Sequence, residues 1–172
     1  MKFKITLKID RKYGDLLPFN YQYEQSAVIY RILAQADTQY SSWLHENGYL
    51  LHERKRFKLF CYSPFIFEKV RPLPEAGCLK IIGERAVWYI SFIPEKSTLE
   101  FIQGIFAHQS FSIGNKKYQV AFDVVGVEAM PMPQLSEEII FQALSPICVK
   151  LHEDNKTQYL SPDNPMFADG IL

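Results

Sequence analysis

Cysteine is scarce in this chain. Cys61, Cys78 and Cys148 are the only three; being odd in number, widely spaced and without a C-x-x-C pair, they argue against a disulfide framework or a zinc site. A reducing cytoplasm suits them. No apolar run reaches the ~18 residues needed to span a bilayer, and the opening MKFKITLKI alternates instead of carrying the apolar core of a signal peptide. A soluble cytoplasmic protein without membrane contact is expected. Net charge is also lacking, with Lys plus Arg equal to Asp plus Glu at 19 each, so no global field draws in a polyanion. Affinity for nucleic acid has to come from a local patch, and the best candidate is Arg54, Lys55, Arg56 and Lys58, followed by Lys69 and Arg71. No G-x-G-x-x-G or G-x-x-x-x-G-K stretch occurs, and no His or carboxylate pair has metal-ligand spacing. Neither a nucleotide cofactor nor a metal is expected.

What the chain does have is apolar and aromatic: 48% hydrophobic residues, with 13 Phe and 10 Tyr among 172. That supports a sheet-containing core and offers rings on which bases could stack, although ordinary packing accounts for most aromatics equally well. Residues 2–9 place Phe3, Ile5, Leu7 and Ile9 on one face and Lys2, Lys4, Thr6 and Lys8 on the other, the period of a half-buried strand. After the turn-prone YGDLLP, residues 21–35 have helical spacing. Asp37 and Thr38 are good N-caps and Gly48 a good stop, which predicts a second short helix over 38–47.

Downstream, residues 57–63 alternate as a strand, with Phe57, Leu59 and Cys61 on one side and Lys58, Phe60 and Tyr62 on the other. Residues 78–83 and 86–93 read as a hairpin turning at Gly83-Glu84, Pro94 to about His108 as a helix, and 111–127 as the last strands. The order predicts an α+β, ferredoxin-like (RRM-like) βαββαβ domain over 1–128 with an antiparallel sheet. A proline-containing linker is expected over 129–138. Residues 139–172, with a strand pattern in IIFQALSPICVKL and a helix opening in DNPMFADGIL, are expected to begin a second such domain that the chain does not finish.

In collinear order the chain carries PFNYQYEQSAVIY, LHENG, KLFCYS, ALSPICVK and PDNPMF. This set resembles the CRISPR-associated endoribonuclease family that cuts repeat RNA into guide units, part of the repeat-associated superfamily of RRM-like proteins. The resemblance covers nearly the whole chain. It implies two tandem ferredoxin-like domains, the second with a glycine-rich RNA-gripping loop that has no counterpart among the eight scattered glycines here. The implied partners are CRISPR repeat RNA and a CRISPR ribonucleoprotein, with a homodimer left open. The implied catalytic residues are Tyr30, His45 and Lys58, although Arg54, Lys55 or Arg56 could serve in place of Lys58; the basic loop itself offers His52, Arg54, Lys55 and Arg56 as RNA contacts.

RNA brings its own nucleophile in the 2′-hydroxyl, so a metal-independent nuclease needs a proton acceptor, a proton donor and a cation at the phosphate. Histidine, with a reference pKa of ~6.5, suits either proton role, and His45 is assigned as the acid or, in a variant mechanism, the base. Tyr30, with a reference pKa of ~10, is a poor base unless a cation lowers it, and otherwise orients the 2′-hydroxyl. Lys58 would stabilise charge on the phosphate oxygens. Each residue also has an ordinary role open to it: core packing for Tyr30, complementing a helix dipole for His45, solvated strand for Lys58. Geometry decides, because Tyr30 and His45 would lie roughly 22 Å apart on one straight helix. A weak RNA-binding or structural relative, or a protein-interaction or small-ligand module of the same fold, are the competing readings.

Overall fold

The alternation along the first strand buries Phe3, Ile5, Leu7 and Ile9 and leaves Lys2 and Lys8 exposed. Our computed structural model describes residues 1–51, 55–131, 134, 137–138, 140, 142, 147–153 and 156–170. In chain order the elements are β1 (Lys2–Asp10), β2 (Leu16–Pro18), α1 (Gln22–Ala36), α2 (Thr38–Glu46), β3 (Tyr49–Leu51), β4 (Lys55–Phe57), β5 (Phe60–Tyr62), β6 (Ile66–Phe67), β7 (Val70–Leu73), β8 (Cys78–Ile81), β9 (Arg85–Phe92), α3 (Glu95–Ala107), β10 (Ser110–Gly114) and β11 (Gln119–Met130), then β12 (Lys150–Glu153), β13 (Lys156–Tyr159) and α4 (Met166–Asp169).

The main sheet runs β10-β11-β1-β9-β5, with β6 continuing the outer edge of β9, and every pairing is antiparallel. Taking β1, β5, β9 and β11 as the four strands of a βαββαβ unit, the fourth, first, third and second lie side by side. This is the ferredoxin-like α+β arrangement expected from the element order. Val28, Ile29, Ile32 and Leu33 of α1 and Phe101 and Ile105 of α3 close over Leu7, Trp88, Ile90 and Phe122 of the sheet in one core. Where the helices meet, Gly104 allows close approach: a Cβ there would lie 1.8 Å from the Ile32 carbonyl oxygen.

The expected strand over 57–63 is in fact two. Lys55–Phe57 pairs with Tyr49–Leu51, whereas Phe60–Tyr62 pairs with Ile90–Phe92 of β9. Between them Leu59 takes a positive φ of 55°, which breaks the ladder without disturbing the two-residue alternation. The expected hairpin of 78–83 with 86–93 does not form either. Both edges of β9 are occupied, by β1 and by β5 with β6, so β8 joins β2 and β7 in a separate three-stranded sheet. Its turn is at Gly77, at φ 64°, and the YGDLLP segment contributes β2 to it.

Residues 1–133 form one compact unit and 134–172 another. The second contains the β12–β13 hairpin and α4; within IIFQALSPICVKL only the final Lys150 and Leu151 lie in a strand among the described residues. β11 continues through Met130, into the segment expected as linker. Cys61, Cys78 and Cys148 are free thiols. Among the described residues no helix is long and apolar enough to cross a membrane.

Candidate active site

Asp37 makes the bend on which the site depends. Its amide donates to Leu33 O at 2.9 Å, closing α1, and its carboxylate accepts from Tyr40 N at 2.8 Å, opening α2. The Tyr40 amide, and then the Lys96 ammonium 3.1 Å away, hold this carboxyl below its usual range. Ser41 Oγ donates to Tyr30 O at 2.8 Å, and the Tyr40 hydroxyl bonds Ser97 of α3 and lies 2.9 Å from the Tyr49 hydroxyl. So α2 folds back, and the Tyr30 and His45 rings meet edge-on with centroids 4.9 Å apart.

At the far end of α2, Gly48 adopts φ 70° and donates to Trp43 O at 3.1 Å. A Cβ at Gly48 would lie 2.7 Å from Phe57 O, so only glycine lets β4 pass this closely. That approach delivers Lys58, whose Nζ donates to Leu44 O and His45 O at 2.5 Å each. An ammonium is well placed on the unpaired carbonyls at the negative end of a helix. Burial, and secondarily the Arg56 guanidinium, pull the Lys58 pKa below its ordinary value. Arg56 itself donates to Asn47 Oδ1 at 3.0 Å.

Tyr30 is half-buried. Burial, followed by the nearby Tyr62 phenol, raises its pKa above the ordinary 10.0. Among the described residues no cation lowers it, so the condition under which Tyr30 would be a base is not met there, and burial favours the neutral phenol. Its ring also meets Phe60 at 5.7 Å, and Phe60 stacks on Tyr62 at 6.3 Å, while the Tyr62 hydroxyl donates to Gln22 O at 3.1 Å.

The structure therefore brings Tyr30, His45 and Lys58 together from α1, α2 and the β4–β5 break. Of the expected RNA contacts, Arg56 is exposed beside them and Lys55 lies on β4. His52 and Arg54 fall outside the described residues. Phe60 and Tyr62 line the site without having been assigned to it. Their signal was present in the alternation of KLFCYS, which puts both on the Lys58 side.

Residues 16–123, which include all three of these side chains, match the family model described as CRISPR-associated protein Cas6, N-terminal. The CRISPR-associated endoribonuclease Cas6 1 of Methanocaldococcus jannaschii is 27% identical over 172 residues, covering 98% of this chain and 62% of its own length. Among solved structures, an RAMP protein binding different RNA substrates superposes with a TM-score of 0.75 at 25% identity, over 98% of this chain and 66% of that one. A Cas6-related protein from Pyrococcus furiosus also gives a TM-score of 0.75, at 26% identity, over 98% and 65%. The chain thus spans about two thirds of the length of these relatives.

Proposed function

Because this chain belongs to the CRISPR-associated protein Cas6 family, we propose that it cleaves CRISPR repeat transcripts into guide units with no divalent ion. The 2′-hydroxyl attacks the adjacent phosphorus and gives up its proton to solvent water, while the bond to the 5′-oxygen breaks and that oxygen takes a proton from His45, leaving a 2′,3′-cyclic phosphate and a 5′-hydroxyl. His45, exposed at the end of α2, donates the proton to the leaving 5′-oxygen. Tyr30, a neutral phenol against the His45 ring, orients the 2′-hydroxyl by a hydrogen bond. Lys58 turns from the α2 carbonyls to the non-bridging phosphate oxygens as negative charge grows there. Arg56, with Lys55, Arg54 and His52, follows the RNA backbone. The observation that supports this reading is that a tyrosine, a histidine and a lysine from three separate elements meet, the Tyr30 and His45 rings edge-on and the Lys58 ammonium on the His45 carbonyl. The catalytic ferredoxin-like domain, expected over 1–128, would run on to the end of β11 at Met130, with the residues from there to 138 a linker and 139–172 part of a second domain.

Cleavage of the cognate repeat should persist in EDTA and fall by about 10²-fold or more in His45→Ala, the range expected for a lost general acid. Activity that chelator abolishes, or an alanine variant at full rate, would sink the mechanism. A second reading has one observation in its favour: the Lys58 ammonium is already engaged by two helix carbonyls. On that reading the protein binds repeat RNA, or supports a CRISPR ribonucleoprotein, without efficient cleavage. Tight binding with no cyclic-phosphate product would decide for it.

A further inference from the structure

The opposite side of α1 carries a second polar cleft, of about 260 Å³, between α1, the end of α3 and β10. Val28, Arg31, Ile32 and Gln35 of α1 line it; on a helix of 3.6 residues per turn their mean direction is about 150° from that of Tyr30, so the cleft is not an extension of the active site. Lys12, Arg31 and His108 converge there with the neutral donors Gln35, Ser110 and Ser112. Arg31 donates once, to Ser112 O at 3.0 Å, and has no carboxylate partner among the described residues. Lys12 is paired with Asp10 at 3.4 Å, with its ammonium 5.1 Å from the centre of the Tyr13 ring. Tyr13 is 56% exposed and also lines the adjoining cleft, where Lys117 sits 4.9 Å from the Tyr118 ring. Cations therefore alternate with open aromatic rings around the end of the sheet, in a protein with no net charge to produce a general field.

We infer that this cleft is an RNA-binding exosite: Arg31 and Lys12 hold a phosphodiester of a single strand while Tyr13 offers its ring to a neighbouring base. A guanidinium with free N–H donors matches two phosphate oxygens, and an exposed ring beside a basic groove is the usual footing for unpaired nucleotides. The site rests on the RNA-processing reading above but uses none of its catalytic residues.

The test is fluorescence anisotropy with a repeat RNA that has a 2′-deoxy group at the cleavage position, titrated against salt. In the double variant Lys12→Gln, Arg31→Gln the Kd should rise about tenfold, and the slope of log K against log salt should fall by roughly 0.7 for each phosphate released. Lys4→Gln, which removes a charge paired with Glu128 on the sheet and lining neither cleft, should bind like the parent. Lys12→Gln alone keeps the Arg31–Ser112 bond and should still weaken binding, so that loss of folding cannot imitate the result. Inorganic phosphate and a mononucleotide serve as competitors and should displace RNA only at millimolar concentration. A double variant with parental affinity and slope overturns the exosite and leaves the cleavage proposal standing. Micromolar binding of phosphate or mononucleotide that RNA does not displace reassigns the cleft to a small phosphate ligand. A parent protein that binds no RNA overturns both proposals.

Discussion

Tyr30 acquires its chemical character from neighbours distant in sequence. Burial and Tyr62 raise its pKa above 10.0, so the phenol is neutral throughout the physiological range and can orient or donate but not accept a proton as phenolate. Tyr30→Phe should therefore slow cleavage by about tenfold to a hundredfold, the equivalent of one lost hydrogen bond of ~1.5–3 kcal/mol. The parent pH–rate profile should show no tyrosine inflection below about pH 10. An inflection near pH 8 that disappears in Tyr30→Phe would reassign Tyr30 as the base. The family resemblance was what singled out His45 and Lys58, since residue identity alone left each an ordinary role and left Arg54, Lys55 or Arg56 as replacements for Lys58. It could not show that the Lys58 ammonium rests on the Leu44 and His45 carbonyls.

At the scale of elements, the helix break at Asp37 was visible because N-capping is local chemistry between a carboxylate and an amide three residues on. The strand break at Leu59 was not, because alternation continues across it and only the choice of partner strands reveals it. The misplaced hairpin has the same cause: β8 has the pattern of a strand, but competition for the edges of β9 decides which sheet it joins. The α1–α3 contact depends on one residue. Gly104→Ala would place a methyl group 1.8 Å from Ile32 O, and separating the helices to accommodate it should cost at least ~1–3 kcal/mol. Urea denaturation should show a lowered midpoint with little change in slope. An unchanged midpoint would mean that the helices are not held this closely.

For the molecule as a whole, the core residues from Phe3 to Val127 all belong to the unit 1–133. A fragment of residues 1–133 should accordingly unfold in a single cooperative thermal transition, monitored by circular dichroism; a broad, non-cooperative loss of signal would show that its core needs the remainder of the chain. The order of strand and helix periods was sufficient to identify the ferredoxin-like class, because hydrophobic periodicity and capping act over a few residues and are written directly in the chain. The collinear motifs pointed to the family for the same reason. Only the tertiary structure decided that Tyr30 and His45 meet, that Phe60 and Tyr62 join them, and that Arg31 and Lys12 share a cleft with His108 behind the same helix. These are contacts between residues far apart in sequence, selected by which strand edges remain open and which helix faces pack, and no local pattern encodes that competition.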